Sequence, residues 1–593
     1  MKRRISNIVL IVCSFLLILS CSGPKTAVTV GELSQHIKYL SSDSLRGRQT
    51  GKPGDSLAAE YIREKFAGYK LVPVTGDGLQ RFKVTSNVTA GVNNSLTTGK
   101  ITGVQGVDFM PFSFSANGSL ESDVVFAGYG FNIDNDSTKW SDYKGIDVKG
   151  KWLLILRGDP ESEKAVSRYA PFSGDRDKAL LAKDMGAGGV ILVSGEAFEK
   201  DDAFDPMTRT DYSVGIPAIR VKRSVADALV SSKSTTISDL EKKLNKNLKP
   251  ASFMTGQKLA ASTDVVHNKV NTRNVVMMLP GEDPVLKDEY VVFGAHFDHL
   301  GMGGQGSSSR KPDTIAVHHG ADDNASGVAM LIELAGKFAG TKNSHSRTLV
   351  FIAFSGEESG LLGSKYFTEN PLVDLKKTDL MVNCDMVGRL NEEKNLQIGG
   401  VGTAPGLKER AEAPADTSLL KLSFTEEGSG PSDHSSFYAM NIPVLYFTTG
   451  AHSDYHTPQD TWDKINYEGM VTVSDLIYKV TSAVANDTVR LAFRESGPKS
   501  DVSRGMRRRG ITLGIMPDFS GSSTNGLRVD LVTAGKPAAI GGMKKGDIIT
   551  AIENKAVNNI EDYMFRLGQL KKGQRITVDI IRNGKKEVLI IQL

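Results

Sequence analysis

Cysteine is nearly missing from this sequence: three occur in 593 residues, at positions 13, 21 and 384. So few thiols leave no disulfide framework to build on. A charge excess is missing too, since 72 Lys and Arg stand against 68 Asp and Glu, and Lys2, Arg3 and Arg4 supply most of the resulting +4. Without a basic face, no nucleic-acid partner is expected. The apolar run over residues 8–19 is too short to span a bilayer. What remains is the composition of a folded soluble protein, 40% hydrophobic and 24% charged, in which disorder is not the default reading. A chain of this length exceeds one hydrophobic core and predicts two to four domains.

The basic start, the apolar run and the following Ser20-Cys21 have the layout of an export signal. Ile18-Leu19-Ser20-Cys21 resembles the bacterial lipobox. That resemblance implies a signal peptide over residues 1–21, acylation of Cys21 as the first mature residue, and an exported lipoprotein on the outer membrane facing the periplasm. Cys13 would leave with the signal and Cys21 would carry lipid, so Cys384 would stand alone.

Apolar residues at helical spacing predict helices within 33–40 and 57–66, both in need of a partner surface. From about residue 122 the texture turns strand-rich and glycine-punctuated, with Gly128-Tyr129-Gly130 and later Ile216-Pro217-Ala218-Ile219. This stretch resembles the protease-associated (PA) domain, which implies an insert over 116–262 with a binding or lid role. It has no His, Cys or acid cluster that points to chemistry of its own.

From Arg273 short unbroken apolar runs alternate with amphipathic helices, the pattern of buried parallel strands covered on both faces. The expected fold is therefore α/β, a mixed and largely parallel sheet flanked by helices. Residues 29–115 and 263–493 would form this domain, with its ligand site beyond the carboxyl ends of the strands. A basic linker, 494–509 with Arg507-Arg508-Arg509, reads as a solvated connector. The tail from 510 to 593 resembles a PDZ domain, a small β/α unit. Leu513-Gly514-Ile515 stands where that family has its carboxylate-binding loop, and Gly541 to Ile549 is characteristic of the fold. The resemblance implies a peptide or protein carboxyl end as partner.

Five residues, His296, Asp323, Glu358, Asp385 and His456, each follow a predicted strand. Imidazole nitrogen and carboxylate oxygen are zinc donors, and two zincs sharing one carboxylate need two His, two terminal acids and one bridging acid. His296-Phe297-Asp298 suits a metal ligand whose other ring proton goes to the Asp298 carboxylate. Acids and Asn before a helix, as at Asp322-Asp323-Asn324, are ordinarily caps.

Taken in order, HFD at 296–298, GADDNASG at 320–327, GEE at 356–358, NCDM at 383–386 and YHTPQD at 455–460 resemble the zinc aminopeptidase family typified by secreted bacterial leucyl aminopeptidases. Glutamate carboxypeptidase is related to that family. The resemblance implies two Zn²⁺ ions as cofactors and peptides as substrates. It implies Asp323 as the bridge, followed by a cis peptide bond, with His296, Glu358, Asp385 and His456 as the other ligands. Glu357 would be the general base and Tyr455 the oxyanion donor. Ser432-Asp433-His434 matches a further family segment, with a structural role. Strand alternation turns Cys384 away from Asp385 into the core. His299, His318, His319 and His452 receive no ligand role.

The activity so implied is release of N-terminal residues from peptides. The alternatives are a carboxypeptidase on acidic dipeptides, a single-zinc cyclotransferase and a non-enzymatic receptor-like domain, the last disfavoured because no ligand is missing.

Overall fold

The computed structural model describes residues 25–134, 138–164, 167–210, 212–497, 511–517, 526–533, 535–571 and 573–593. The expected export signal, Cys21 and the three linker arginines lie outside the described residues. Among those residues no helix is long and apolar enough to cross a membrane.

Four strands rich in Val, Ile, Leu and Phe, Thr348–Phe354, Tyr290–His296, Thr378–Cys384 and Val444–Thr448, lie parallel in that spatial order. Their side chains are buried on both faces, as parallel strands under helices must be. Antiparallel strands complete the sheet: Val265–Leu279 on one side and Asn395–Gly399 on the other, the latter followed by Lys421–Thr425. The chain leaves Tyr290–His296 toward Thr348–Phe354 and then returns to the opposite side, to Thr378–Cys384. The strand order thus reverses at Tyr290–His296, and a reversal of this kind opens a crevice at the strand ends.

Helix Gly327–Gly340 is buried nearly all round. It supplies the surface that the two amino-terminal helices need. Val30–Leu40 starts on a Thr29 cap and turns Leu33, Ile37 and Leu40 inward; Pro53–Gly68 starts on a proline, which suits a first turn, and buries Ala59, Ile62 and Phe66. Buried Glu333 on the central helix accepts from Lys25 at 2.5 Å and lies 3.1 Å from His36 Nε2. These contacts answer the charge that this all-apolar packing would otherwise strand.

The sheet formed by the expected insert has eight strands. Ser95–Thr98, Ile101–Thr102 and Phe109–Pro111 already belong to it, paired with Phe253–Thr263 and Ala218–Val221. Segments within 95–111, ahead of the expected insert, thus share its sheet. Its entry and exit are the long antiparallel pair Leu79–Ala90 and Val265–Leu279. Its acids are held by arginines: Arg157 meets Asp175, Glu199 and Asp205, and Arg220 meets Glu199 and Asp202.

The tail folds on strands Leu527–Val532, Ile548–Ile552, Arg575–Arg582 and Lys585–Gln592 with helix Ile560–Gly568. Gly514 has φ of 75°, and a Cβ there would lie 2.1 Å from Lys536 Cβ, so the loop before Ile515 requires glycine. One side of helix Ile560–Gly568 rests on PA helix Asp175–Asp184. Arg566 grips both carboxylate oxygens of Asp184, and Arg176 reaches Asp562 at 2.8 Å and Asn559 at 3.2 Å. Fork-like Arg–carboxylate pairs of this kind fix orientation as well as contact.

Candidate metal centre

All the ligand candidates but Asp323 stand at or beyond the carboxyl end of a buried strand. His296 is the last residue of its strand; Asp385 directly follows Thr378–Cys384; Glu357 and Glu358 stand just past Phe354; His456 lies in the loop after Val444–Thr448. Asp323 sits in the turn before helix Gly327–Gly340, and the peptide bond between Asp323 and Asn324 is cis. The turn closes tightly: a Cβ on Gly327 would lie 2.3 Å from both Asn324 Oδ1 and the Cys384 carbonyl. Only glycine lets the Asp323 turn approach the Asp385 strand so closely.

The two histidines converge on Asp323 from opposite sides. His296 Nε2 lies 3.3 Å from Asp323 Oδ1 and 3.5 Å from Asp385 Oδ1. His456 Nε2 lies 3.2 Å from Asp323 Oδ2 and 3.2 Å from Glu358 Oε2. Zinc bonds of about 2.0–2.1 Å imply a tetrahedral ligand-to-ligand edge of about 3.3–3.4 Å. All four separations fall close to that edge. Both rings also use Nδ1 on a backbone carbonyl, Asp298 for His296 at 3.2 Å and Ser308 for His456 at 3.0 Å, which frees each Nε2 to ligate. The donor set therefore fits zinc.

One expectation is corrected. The His296 ring proton is directed to the Asp298 carbonyl, because the Asp298 carboxylate is 3.8 Å away, beyond hydrogen-bond reach. That carboxylate instead accepts from the Glu357 amide at 3.0 Å and from Thr50 at 2.8 Å. Asp298 thus holds the Glu357 loop.

His299, left without a role in the sequence, is fully enclosed at the centre, with Nδ1 2.7 Å from Glu358 Oε1 and 3.9 Å from Asp323 Oδ2. It competes with His456 for the second position, but 2.7 Å is a hydrogen-bond length rather than a ligand edge. The geometry makes His299 the residue that orients Glu358. The repeated His in HFDH was the available signal. Cys384 is buried, and burial pushes its thiol up, as a core residue requires. His318 bonds Ser309, and His319 bonds Asp43 and the Pro458 carbonyl. His452 lies 3.2 Å from Asp322.

The charges are strongly coupled. Burial drives the Asp323 carboxyl upward, but hydrogen bonds to His296 and His456 prevail and hold it well below the usual range. Burial opposes the charge on His456, yet Asp323 and Glu358 raise it to about 11. Glu357 moves the other way: burial, helped by Glu358, Asp433 and Asp385 and only partly opposed by His296, pushes it well above a normal glutamate. Its Oε2 is 3.9 Å from His296 Nε2, so it stands beside the ligands without joining them. Tyr455 stacks on His456 at 3.8 Å, and burial among the acids raises its hydroxyl, keeping it a donor. Asp433, buried and raised to about 7, lies behind Glu357, while His434 stacks on Tyr446 at 4.5 Å. Arg48, unassigned in the sequence, is 1% exposed and donates to the carbonyls of Phe297, Leu40, His319 and Gly320. It pins the two loops that follow His296 and precede Asp323.

Comparison with known proteins adds three matches along the chain. Residues 274–481 match the model of Peptidase family M28, residues 119–229 the PA domain and residues 512–593 the PDZ domain. Aminopeptidase YwaD of Bacillus subtilis (strain 168) is 27% identical over 350 residues, covering 57% of this chain and 62% of the relative. A glutamate carboxypeptidase 2 homolog of Caenorhabditis elegans is 25% identical over 423 residues, covering 59% of this chain and 52% of the relative. The matches thus span between half and two thirds of those relatives. The solved structure of BSAP, a zinc aminopeptidase from Bacillus subtilis, is 21% identical with a TM-score of 0.47, covering 80% of this chain and 98% of that one.

Proposed function

Residues 274–481 form a peptidase family M28 domain, carried in one chain with a PA domain and a PDZ domain, and from that premise we propose a dizinc aminopeptidase. The observation that carries the reading is the arrangement about Asp323: one carboxylate, two imidazoles and two further acids at four separations of 3.2–3.5 Å. His296, Asp323 and Asp385 would hold one ion, and Asp323, Glu358 and His456 the other. Bound there, zinc supplies Lewis acidity for the scissile carbonyl and for water, which becomes a nucleophile near neutral pH.

The chain's own groups do the rest. Glu357, with its raised proton affinity and its backbone amide anchored by Asp298, accepts the proton of the attacking water and passes it to the departing amine. Tyr455 donates its hydroxyl to the developing oxyanion. Metal analysis paired with a panel of unblocked and N-acetylated dipeptides tests this reading. It expects two zincs per chain and cleavage confined to unblocked substrates. Cleavage confined to the N-acetylated acidic members identifies the carboxypeptidase alternative, and no cleavage by the zinc-loaded protein removes the enzymatic reading.

Attachment to a membrane through Cys21 is part of the proposal. Lys25 is already seated on Glu333 of the central helix, so three residues, a span of at most about 14 Å from Cα to Cα, separate Cys21 from the peptidase domain. Cys21→Ser is expected to move the protein from the membrane to the soluble fraction; a variant still pelleting with membranes discards the anchor. The tail is proposed to receive a peptide carboxyl end beside Gly514, against helix Ile560–Gly568, whose Met564 remains exposed. Deleting 511–593 is expected to leave hydrolysis of dipeptides within about twofold of the full chain, as for a docking module on an independent core. Complete loss of that hydrolysis makes the tail part of the catalytic assembly.

A further inference from the structure

Asp460 is the last residue of the YHTPQD segment and is fully buried, 0% exposed, yet it touches neither substrate space nor any ligand atom. Its contacts run instead to the loops that carry the ligands. Oδ2 accepts two successive amides, from Asp322 at 2.8 Å and Asp323 at 3.0 Å. Oδ1 receives Arg389 Nη2 at 3.2 Å, and the Asp460 carbonyl accepts the Ala321 amide at 3.0 Å. Arg389 follows Asp385 by four residues and also holds Asp454, two residues before His456, at 3.2 Å. Beside it, Asp322 Oδ1 accepts the Gly388 amide at 2.7 Å. One carboxylate therefore joins the turn of Asp323, the loop of Asp385 and the loop of His456.

We infer that Asp460 is a positioning residue of the metal centre, setting the backbone of Asp323 between the two histidines and, through Arg389, the loop of Asp385. The inference rests on the dizinc reading above. Its physical basis is tolerance: the ligand edges of 3.2–3.5 Å leave little room for a backbone shift, and partners one step behind the ligands typically govern about 10–100-fold in metal affinity. A carboxylate suits the task because it has only acceptors to offer, and it faces two amides and a guanidinium. In Asp460→Asn one oxygen still meets the amides, but the amide nitrogen opposes Arg389 donor to donor. In Asp460→Ala both ties are gone.

Zinc affinity by chelator competition, measured on folded full-length protein, decides the matter, with kcat and KM as second readouts. Asp460→Asn and Arg389→Met are each expected to weaken zinc binding about tenfold. They should lower kcat more than they change KM, and the double variant should be no worse than Arg389→Met alone, because that variant already removes the Arg389–Asp460 tie. Asp460→Ala should weaken zinc further; if it does not fold, the Asn and Met variants decide. Wild-type zinc affinity in folded Asp460→Asn and Arg389→Met overturns the inference while leaving the dizinc reading intact. Absence of zinc uptake by the unaltered protein overturns both.

Discussion

Glu357→Gln is expected to lower kcat by about 10²–10⁴-fold, the range a general base contributes, while the protein keeps both zincs and its KM. The separation of the two effects follows from where the side chain stands. Glu357 is 3.9 Å from His296 Nε2, outside the spacing shared by the ligand pairs, so losing its charge removes no donor. Glutamine preserves the shape and leaves the backbone amide on Asp298, so the loop that carries Glu358 stays in place. What it removes is the carboxylate that takes the proton of the attacking water and passes it to the leaving amine. Single-turnover and steady-state assays on a zinc-saturated variant measure it, and a kcat near that of the unaltered enzyme would refute the base assignment.

Asp323→Ala is expected to have the larger effect, abolishing zinc uptake at both positions and all activity with it. Asp323 is the one acid in contact with both histidines, through Oδ1 to His296 and Oδ2 to His456, so its loss opens both donor sets at once. A second readout follows from linkage. Zinc that binds only the folded chain stabilises it, by about 4 kcal/mol at a thousandfold excess over its dissociation constant. Thermal melts of the unaltered protein should rise with zinc and fall with chelator, whereas Asp323→Ala should melt at one temperature in both. A variant that still binds two zincs, or still gains stability from them, rules out the bridge. Asp385 meets His296, whereas Glu358 meets His456 and His299 but not His296, so a one-zinc product from Asp385→Ala or Glu358→Ala would locate the two ions separately.

The catalytic sheet was legible because buried parallel strands advertise themselves as short unbroken apolar runs, and because each ligand follows its run by no more than a few residues or lies in the next turn. His296, Asp385 and the Glu357-Glu358 pair needed only local sequence to be placed at strand ends. Other elements were not legible at that range. The apolar end of strand Val265–Leu279, residues 275–279, looks like the parallel strands in composition but runs antiparallel to Thr348–Phe354, since apolar content reports burial and not direction. Strands 95–98 and 109–111 carry too few residues to announce the PA sheet they join. The docking of the tail on the PA helix depends on Arg566 and Asp184, 382 residues apart.

By itself, then, the sequence named candidate ligands and the kind of scaffold that carries them, because strand periodicity and donor chemistry are properties of short segments. Only the tertiary structure decided that His299 orients Glu358, that the Asp298 carboxylate serves Glu357 rather than His296, and that Arg48 and Asp460 tie the ligand loops together. Those choices turn on a hydrogen bond made or missed by less than an ångström between segments far apart in the chain. No local pattern encodes that distance; it is set when the helices close on the sheet and each buried polar atom has to find its partner.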